Sequence, residues 1–350
     1  MQNQKQIKRI LIVRLSAVGD TVLNLPIACA IRRYLPDVEV GWVVARGAAD
    51  LLVGHPCVDR LFVLTPEATR STTAYLRFAK SLRQWHPDVA IDAQGLTKSS
   101  ILGLLSGATQ RIGLARSEFE GRELSTWINN TIVTPSTTHV VDRGLELLRP
   151  LNISEPEIEY RIPESPKIRQ EITARASELG WRIPGAIINV GAGWPSKIWP
   201  NDRYAAIACH LSERWGLPSC IVWGGEKERM AAEEVVSRSR GAAIMAPPTT
   251  LPELAQLIRG ARLFLGSDTG PTHLACALNV PTVAMIGPMP VERVGPRGPG
   301  RIAIQRESLN ERQRSQRKSN CGPMLSIDFA SVRDACDSLL AATQQDTVAA

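Results

Sequence analysis

Long apolar runs are missing from this chain of 350 residues: Asp, Arg, Gly or Pro interrupts every candidate, and none is long enough to span a bilayer. The N-terminus is basic, but its apolar run of only about six residues is too short for a secretory leader and predicts a first β-strand instead. The seven cysteines (Cys29, Cys57, Cys209, Cys220, Cys276, Cys321, Cys336) contain no C-x-x-C spacing. Their mostly apolar surroundings predict reduced core residues of a cytoplasmic protein rather than a disulfide or zinc framework. The first strand–turn–helix lacks G-x-G-x-x-G and no acid closes the second strand, so a dinucleotide-binding reading fails twice. No paired-carboxylate motif of the kind that holds Mg²⁺ with a diphosphate stands out, and neither metal nor cofactor is expected.

What remains is an ordinary globular composition, 44% hydrophobic and 21% charged, with length enough for two domains. The net charge of +7 is uneven, because residues 297–318 hold seven basic side chains (Arg297, Arg301, Arg306, Arg312, Arg314, Arg317, Lys318) against Glu307 and Glu311. Such a run reads either as a solvated face or as a surface for an anionic membrane or a phosphorylated acceptor. Nucleic acid is not expected, since no aromatics interleave with the charges.

Apolar strands alternate with helical patterns along the chain. Strands are expected over 10–15, 39–44, 61–64 and 89–92, with helices from the turn at Ser16–Asp20 to about Tyr34, over 74–85 and over 98–106. The stretch RIGLARSEFEGRELS reads as irregular, and His139 opens another helix. Four prolines make 150–167 the best linker. The rhythm then restarts with strands over 186–190, 219–223, 263–265 and 282–286, and helices over 201–214, from about Met230, over 251–260 and over 326–342. Strands separated by helices at this spacing imply parallel, doubly wound sheets, with ligand-binding loops at the carboxyl ends of the strands. Expected domain limits are 1–160 and 168–325, with the helix of 326–350 crossing back to the first domain.

The densest signal is LFLGSDTGPTHLACALNVPTVAMIG, residues 263–287. It reads strand, polar turn, helix, strand. The helix N-terminus, with Gly270 and Pro271 in its first turn, offers unpaired N–H groups and the positive end of the macrodipole to an anion, most naturally a phosphate. S-D-T-G-P-T-H-L-A-C-A-L resembles the nucleotide-sugar motif of the lipopolysaccharide heptosyltransferases of glycosyltransferase family 9, most closely those of the heptosyltransferase I type. The resemblance runs from the first strand to Gly287. It implies the GT-B arrangement, in which two Rossmann-like domains face across a cleft, acceptor in the first and nucleotide sugar in the second. It implies an inverting, metal-independent transfer of a heptose from an ADP-activated donor to an anionic glycolipid acceptor, at the cytoplasmic face of the inner membrane.

Asp20, in S-A-V-G-D, is by itself as readily a helix cap as a catalytic group; the resemblance makes it the general base. Lys197, in P-S-K-I-W-P, is by itself an ordinary loop lysine; the resemblance makes it the cation that meets the leaving diphosphate. Around the donor stand Gly193, Thr249, Leu251, Asp268, Thr269, Gly270 and His273, and in W-G-G-E-K-E-R both Glu226 and Glu228 are eligible to hold the ribose. Ser16, Gln94, Lys98, Arg122, His139 and Arg143 match acceptor positions. A departure lies after the third strand, where the family's Arg- and Lys-rich loop is here PEATRSTTAY. Two alternatives stay open: a nucleotide-sugar epimerase of the same architecture and a non-catalytic nucleotide-sugar-binding module.

Overall fold

The computed structural model describes residues 6–117 and 121–349, the side chains of 311, 312, 314 and 345–349 excepted. It divides into two compact units, residues 1–163 and 164–350. Each is built on a six-stranded sheet in which every pairing is parallel.

In the first unit the strands are β1 (Arg9–Val13), β2 (Glu39–Ala45), β3 (Arg60–Leu64), β4 (Val89–Asp92), β5 (Gln110–Leu114) and β6 (Thr131–Val133). Their order is β3-β2-β1-β4-β5-β6. The continuous apolar run Ile10–Val13 is what a strand covered on both faces requires, and all four side chains are buried. Phe62, Leu82, Trp85 and Leu102 close the core on one face of this sheet, with Trp85 edge-on to Phe62 at 5.6 Å. The order reverses between β1 and β4, whose last residues, Val13 and Asp92, are paired partners. That crevice is the switch point at which such sheets bind ligands.

The second unit repeats the plan with β7 (Gly185–Asn189), β8 (Ser219–Val222), β9 (Ala243–Met245), β10 (Ala261–Ser267), β11 (Thr282–Met285) and β12 (Arg301–Ile304), in the order β12-β11-β10-β7-β8-β9. Its switch point lies between β7 and β10, where Asn189 is level with Gly266. Trp199 and Tyr204 sit in the core without solvent exposure, their rings edge to face at 5.0 Å, and the Trp199 indole N–H donates to the Ile327 carbonyl at 2.9 Å. The tryptophan of I-W-P therefore moors the loop that carries Lys197.

Several sequence expectations change. The stretch read as irregular contains β5. Arg111 is half-buried because its guanidinium donates to the carbonyls of Ala108 and Ile128, and Gly113 makes room for Asn129, whose Nδ2 would lie 2.3 Å from any added Cβ. β12 lies inside the basic segment, where Arg301 donates to the Cys276 carbonyl at 2.6 Å. The helix expected from Met230 spans Glu226–Arg238; a charged first turn hides its start, although acids there suit the dipole. The C-terminal helix, Phe329–Ala349, packs on the helix Asn201–Trp215 and on β10, β11 and β12 of the second unit.

Asp92 holds the first crevice together. Buried to 3% exposure, it accepts from the Ser100 hydroxyl at 2.6 Å, the Gly95 amide at 2.9 Å, the Asn129 amide at 3.1 Å and the Gln94 amide at 3.2 Å. Replacing it with Ala orphans these donors, each at a cost of about 1–3 kcal/mol where water cannot compensate. Asp92→Ala is expected to destabilise the first unit by at least about 3 kcal/mol in urea unfolding; a loss under about 1 kcal/mol would show the network to be dispensable.

Candidate functional site

At the first switch point the chain leaves β1 through Arg14 and enters the helix Val18–Tyr34 with Asp20 in its first turn. The Asp20 Oδ2 accepts the Ala17 amide at 3.0 Å and meets the Arg14 Nη2 at 2.7 Å, while Arg14 Nη1 donates to the Ala93 carbonyl at 2.7 Å. The carboxylate is thus both a cap of its helix and a partially exposed group clamped by a buried guanidinium anchored to the neighbouring strand. Arg14 was not among the expected site residues. Its signal was a charge ending an otherwise apolar strand.

The expected acceptor residues separate in space. Ser16 and Lys98 line a largely apolar cavity of about 890 Å³ at the carboxyl ends of β1 to β3, together with Arg46, Tyr75 and Ile101. Thr65, Pro66 and Thr69 also line it; the stretch PEATRSTTAY, expected as a loop, folds into the short helix Pro66–Arg70 and the start of the helix Thr72–Gln84 and borders this cavity. Gln94 is turned inward, its Oε1 accepting the Leu15 amide at 2.9 Å. His139 is buried and its Nδ1 accepts the Val141 amide at 3.3 Å, so its ring caps the helix Val140–Glu146. Arg143 reaches the Ser117 hydroxyl at 3.3 Å, and Arg122 is exposed, its amide bonded to the Gly95 carbonyl at 2.9 Å.

The second switch point is more tightly built. Asp268 follows β10 directly and is 4% exposed at its side chain; its Oδ2 meets the Lys197 Nζ at 2.5 Å and its Oδ1 meets the His273 Nε2 at 2.9 Å. Lys197 also donates to the Asp268 carbonyl at 3.0 Å. Burial pushes the Asp268 carboxyl up, but the Lys197 charge and the His273 bond outweigh it and hold the group well below the ordinary carboxylate range. His273 is therefore the second partner of Asp268. The helix Gly270–Ala277 begins beside it, and its N-cap, Thr269, makes no side-chain cap. Instead the Thr269 hydroxyl accepts from Asn189 Nδ2 at 3.1 Å, which ties β7 to β10 across the crevice. Asn189 was also missed; a polar residue ending an apolar strand was again its signal.

Next to this cluster the two acids of W-G-G-E-K-E-R part company. Glu226 is exposed and pairs with Arg229 at 2.6 Å. Glu228 is half-buried, accepts the Gly224 amide at 2.7 Å, and lies where a Cβ on Gly191 would be 2.0 Å from its carboxyl carbon. A side chain at position 191 would displace the Glu228 carboxylate from this place. Burial pushes the Glu228 carboxyl above its ordinary range, partly offset by the Gly224 bond. Gly193, on the same loop, has open space around it. Thr249 and Leu251 are half-buried and flank Thr250, which is engaged in a capping box with Glu253.

The chain was compared with known proteins. Residues 75–324 match the family model described as glycosyltransferase family 9 (heptosyltransferase). Lipopolysaccharide heptosyltransferase 1 of Pseudomonas aeruginosa is 30% identical over 290 residues, which is 80% of this chain and 79% of the relative. Among solved structures, a glycosyl transferase family 9 protein of Veillonella parvula superposes with a TM-score of 0.83 at 22% identity, covering 95% of this chain and 97% of its own. An Escherichia coli heptosyltransferase solved with ADP-2-deoxy-2-fluoro heptose gives 0.72 at 21% identity, over 94% and 99%. Two Rossmann-like units of the GT-B fold, a family match over more than half the chain and a curated relative at this identity lead to one statement: this chain is a glycosyltransferase that belongs to glycosyltransferase family 9, the heptosyltransferase family.

Proposed function

We propose that the chain transfers a heptose from an ADP-activated donor to a hydroxyl of a lipopolysaccharide inner-core acceptor, with inversion at the anomeric carbon and without a metal ion. The observation that carries this reading is the Lys197–Asp268–His273 cluster at the open start of the helix Gly270–Ala277. A cation and a helix N-terminus meet there at the carboxyl end of a parallel sheet, which suits a leaving diphosphate whose charge grows in the transition state. Asp268 positions Lys197. Glu228, half-buried beside Gly191 and Gly224, is the carboxylate placed to accept ribose hydroxyls, and Glu226 is committed to Arg229. The epimerase and inactive-module alternatives are not favoured, because the family match over residues 75–324 takes in β4 and the whole second switch point, and the Asp20 and Lys197 groups are both present.

In the transfer, the acceptor oxygen bonds to the anomeric carbon as the bond to the diphosphate oxygen breaks on the opposite face of the sugar. Asp20 takes the hydroxyl proton and ADP leaves with both electrons of the broken bond. Arg14 fixes the Asp20 carboxylate. The 890 Å³ cavity with Ser16 and Lys98 at its edge is the acceptor subsite. Arg122 and Arg143 are assigned the anionic part of the acceptor, whereas Gln94 and His139 act through the backbone they hold.

No helix among the described residues is long and apolar enough to cross a membrane. A glycolipid acceptor places the enzyme at the cytoplasmic face of the inner membrane as a peripheral protein. The basic segment is not the single free face its composition suggests: Arg301 is bonded to Cys276 and Asn279, Arg306 to Ser331, and Lys318 lies over Trp194, while the side chains of Arg312 and Arg314 lie outside the described residues. Membrane attraction is then a property of the net charge of +7 as a whole.

Asp20→Asn keeps shape and capping ability while removing the basic oxygen; kcat is expected to fall by at least about 10² with donor affinity nearly unchanged. Near-normal turnover, or a product that keeps the donor's anomeric configuration, would return Asp20 to the role of helix cap. Lys197→Ala is expected to lower kcat by about 10²–10³, the range for removing one transition-state charge partner, in an enzyme whose turnover EDTA leaves intact. Loss of turnover in EDTA that Mg²⁺ restores would contradict the metal-free reading. Co-sedimentation with vesicles containing acidic lipid is expected to drop as salt shortens the Debye length below about 8 Å, and equal binding to neutral vesicles would dismiss membrane attraction by charge.

A further inference from the structure

The end of the basic segment lies on the loop that carries Lys197. Ser196, without solvent exposure, donates its hydroxyl to the Arg317 carbonyl at 2.5 Å and its amide to the Lys318 carbonyl at 3.4 Å. The Cys321 thiol reaches the Pro195 carbonyl at 3.6 Å. The backbone of 317–321 is in this way strapped onto 195–196. The strap also places the Lys318 ammonium 5.6 Å from the centroid of the Trp194 ring, the same ring that Lys197 approaches to 4.8 Å. The indole ring attracts both cations and restricts where each can go.

Charge balance gives this arrangement a consequence. Lys197 is ion-paired with the buried Asp268, so the pair as a unit carries no net charge. A nucleoside diphosphate brings at least two negative charges to the same place, and the helix N-terminus offers only about half of one elementary charge. A further cation close by adds to what Lys197 and the helix N-terminus offer, and the exposed Lys318 is held by the fold against the same indole as Lys197.

We infer that Lys318 is a second cation of the diphosphate subsite, binding the donor's diphosphate beside Lys197 and steadied there by Trp194 and the 317–321 strap. The inference rests on the donor reading above and adds a residue to it. Lys318 binds the anion through its charge alone, so Arg can stand in for it and Gln cannot.

The test measures ADP by calorimetry and adenosine by ligand-observed NMR, at low and high salt, for the wild type, Lys318→Gln and Lys318→Arg. ADP affinity is expected to fall about tenfold in Lys318→Gln and to be mostly kept in Lys318→Arg, with adenosine affinity unchanged and a shallower salt dependence for ADP in the Gln variant. An unchanged ADP affinity in Lys318→Gln overturns the inference. So does an equal loss for ADP and adenosine with a lowered melting temperature, which would make Lys318 a purely structural part of the strap. A wild type that binds ADP no better than adenosine would instead fell the donor reading itself, and this inference with it.

Discussion

A carboxylate with 4% of its surface exposed stays ionised only if its charge is met where it stands, and Asp268 is met twice, by Lys197 and by His273. Much of the second unit serves that requirement. Trp199 anchors the loop of Lys197 to the core through its bond to Ile327, and Ser196 fixes the same loop from the other side. Asn189 and Thr269 hold the ends of β7 and β10 together, and Gly266 stays bare because an added Cβ would lie 2.7 Å from the Thr272 hydroxyl. The ammonium is held in one place by these contacts, which for the role proposed above is the condition for electrostatic stabilisation that costs no reorganisation.

The strand–turn–helix of the second switch point was legible in the sequence because it is local. S-D-T-G-P-T-H places Asp268 at the end of a strand and His273 one turn into the following helix, so the contact of Oδ1 with Nε2 spans five residues and follows from spacing. Both switch points were also legible, since strands with buried faces on both sides read as continuous apolar runs. Four strands were missed, β5, β6, β9 and β12; β6 and β9 are only three residues long, and β5 and β12 carry Arg111 and Arg301, whose charges obscure the apolar pattern. In each case the guanidinium finds backbone carbonyls that only the tertiary fold brings near.

The acceptor half was less legible for a related reason. Gln94, His139 and Arg143 fit a recognition pattern by type, but type does not reveal direction. Gln94 spends its carbonyl on the amide of Leu15, and His139 spends a ring nitrogen on a helix cap, both inside the unit. Arg14 shows the converse. It looked like a flaw in a strand, and its place is set by the Ala93 carbonyl and the Asp20 carboxylate, a strand and a helix turn away.

The two switch points share one topology and solve opposite electrostatic problems. In the second, the paired side chains are 16% and 4% exposed, so the ammonium acts through little water and is fixed in place. In the first, Arg14 is 11% exposed but Asp20 is 40% exposed. A base that receives a proton from an incoming hydroxyl and must later release it needs contact with solvent. A cation that faces a growing negative charge works best where solvent is thin. The same crevice in the same sheet order therefore carries a guanidinium buried behind an accessible carboxylate in one unit, and a carboxylate buried behind a lysine in the other. In the proposed transfer, that difference in burial, more than the identity of the charges, is what suits one site to proton transfer and the other to leaving-group stabilisation.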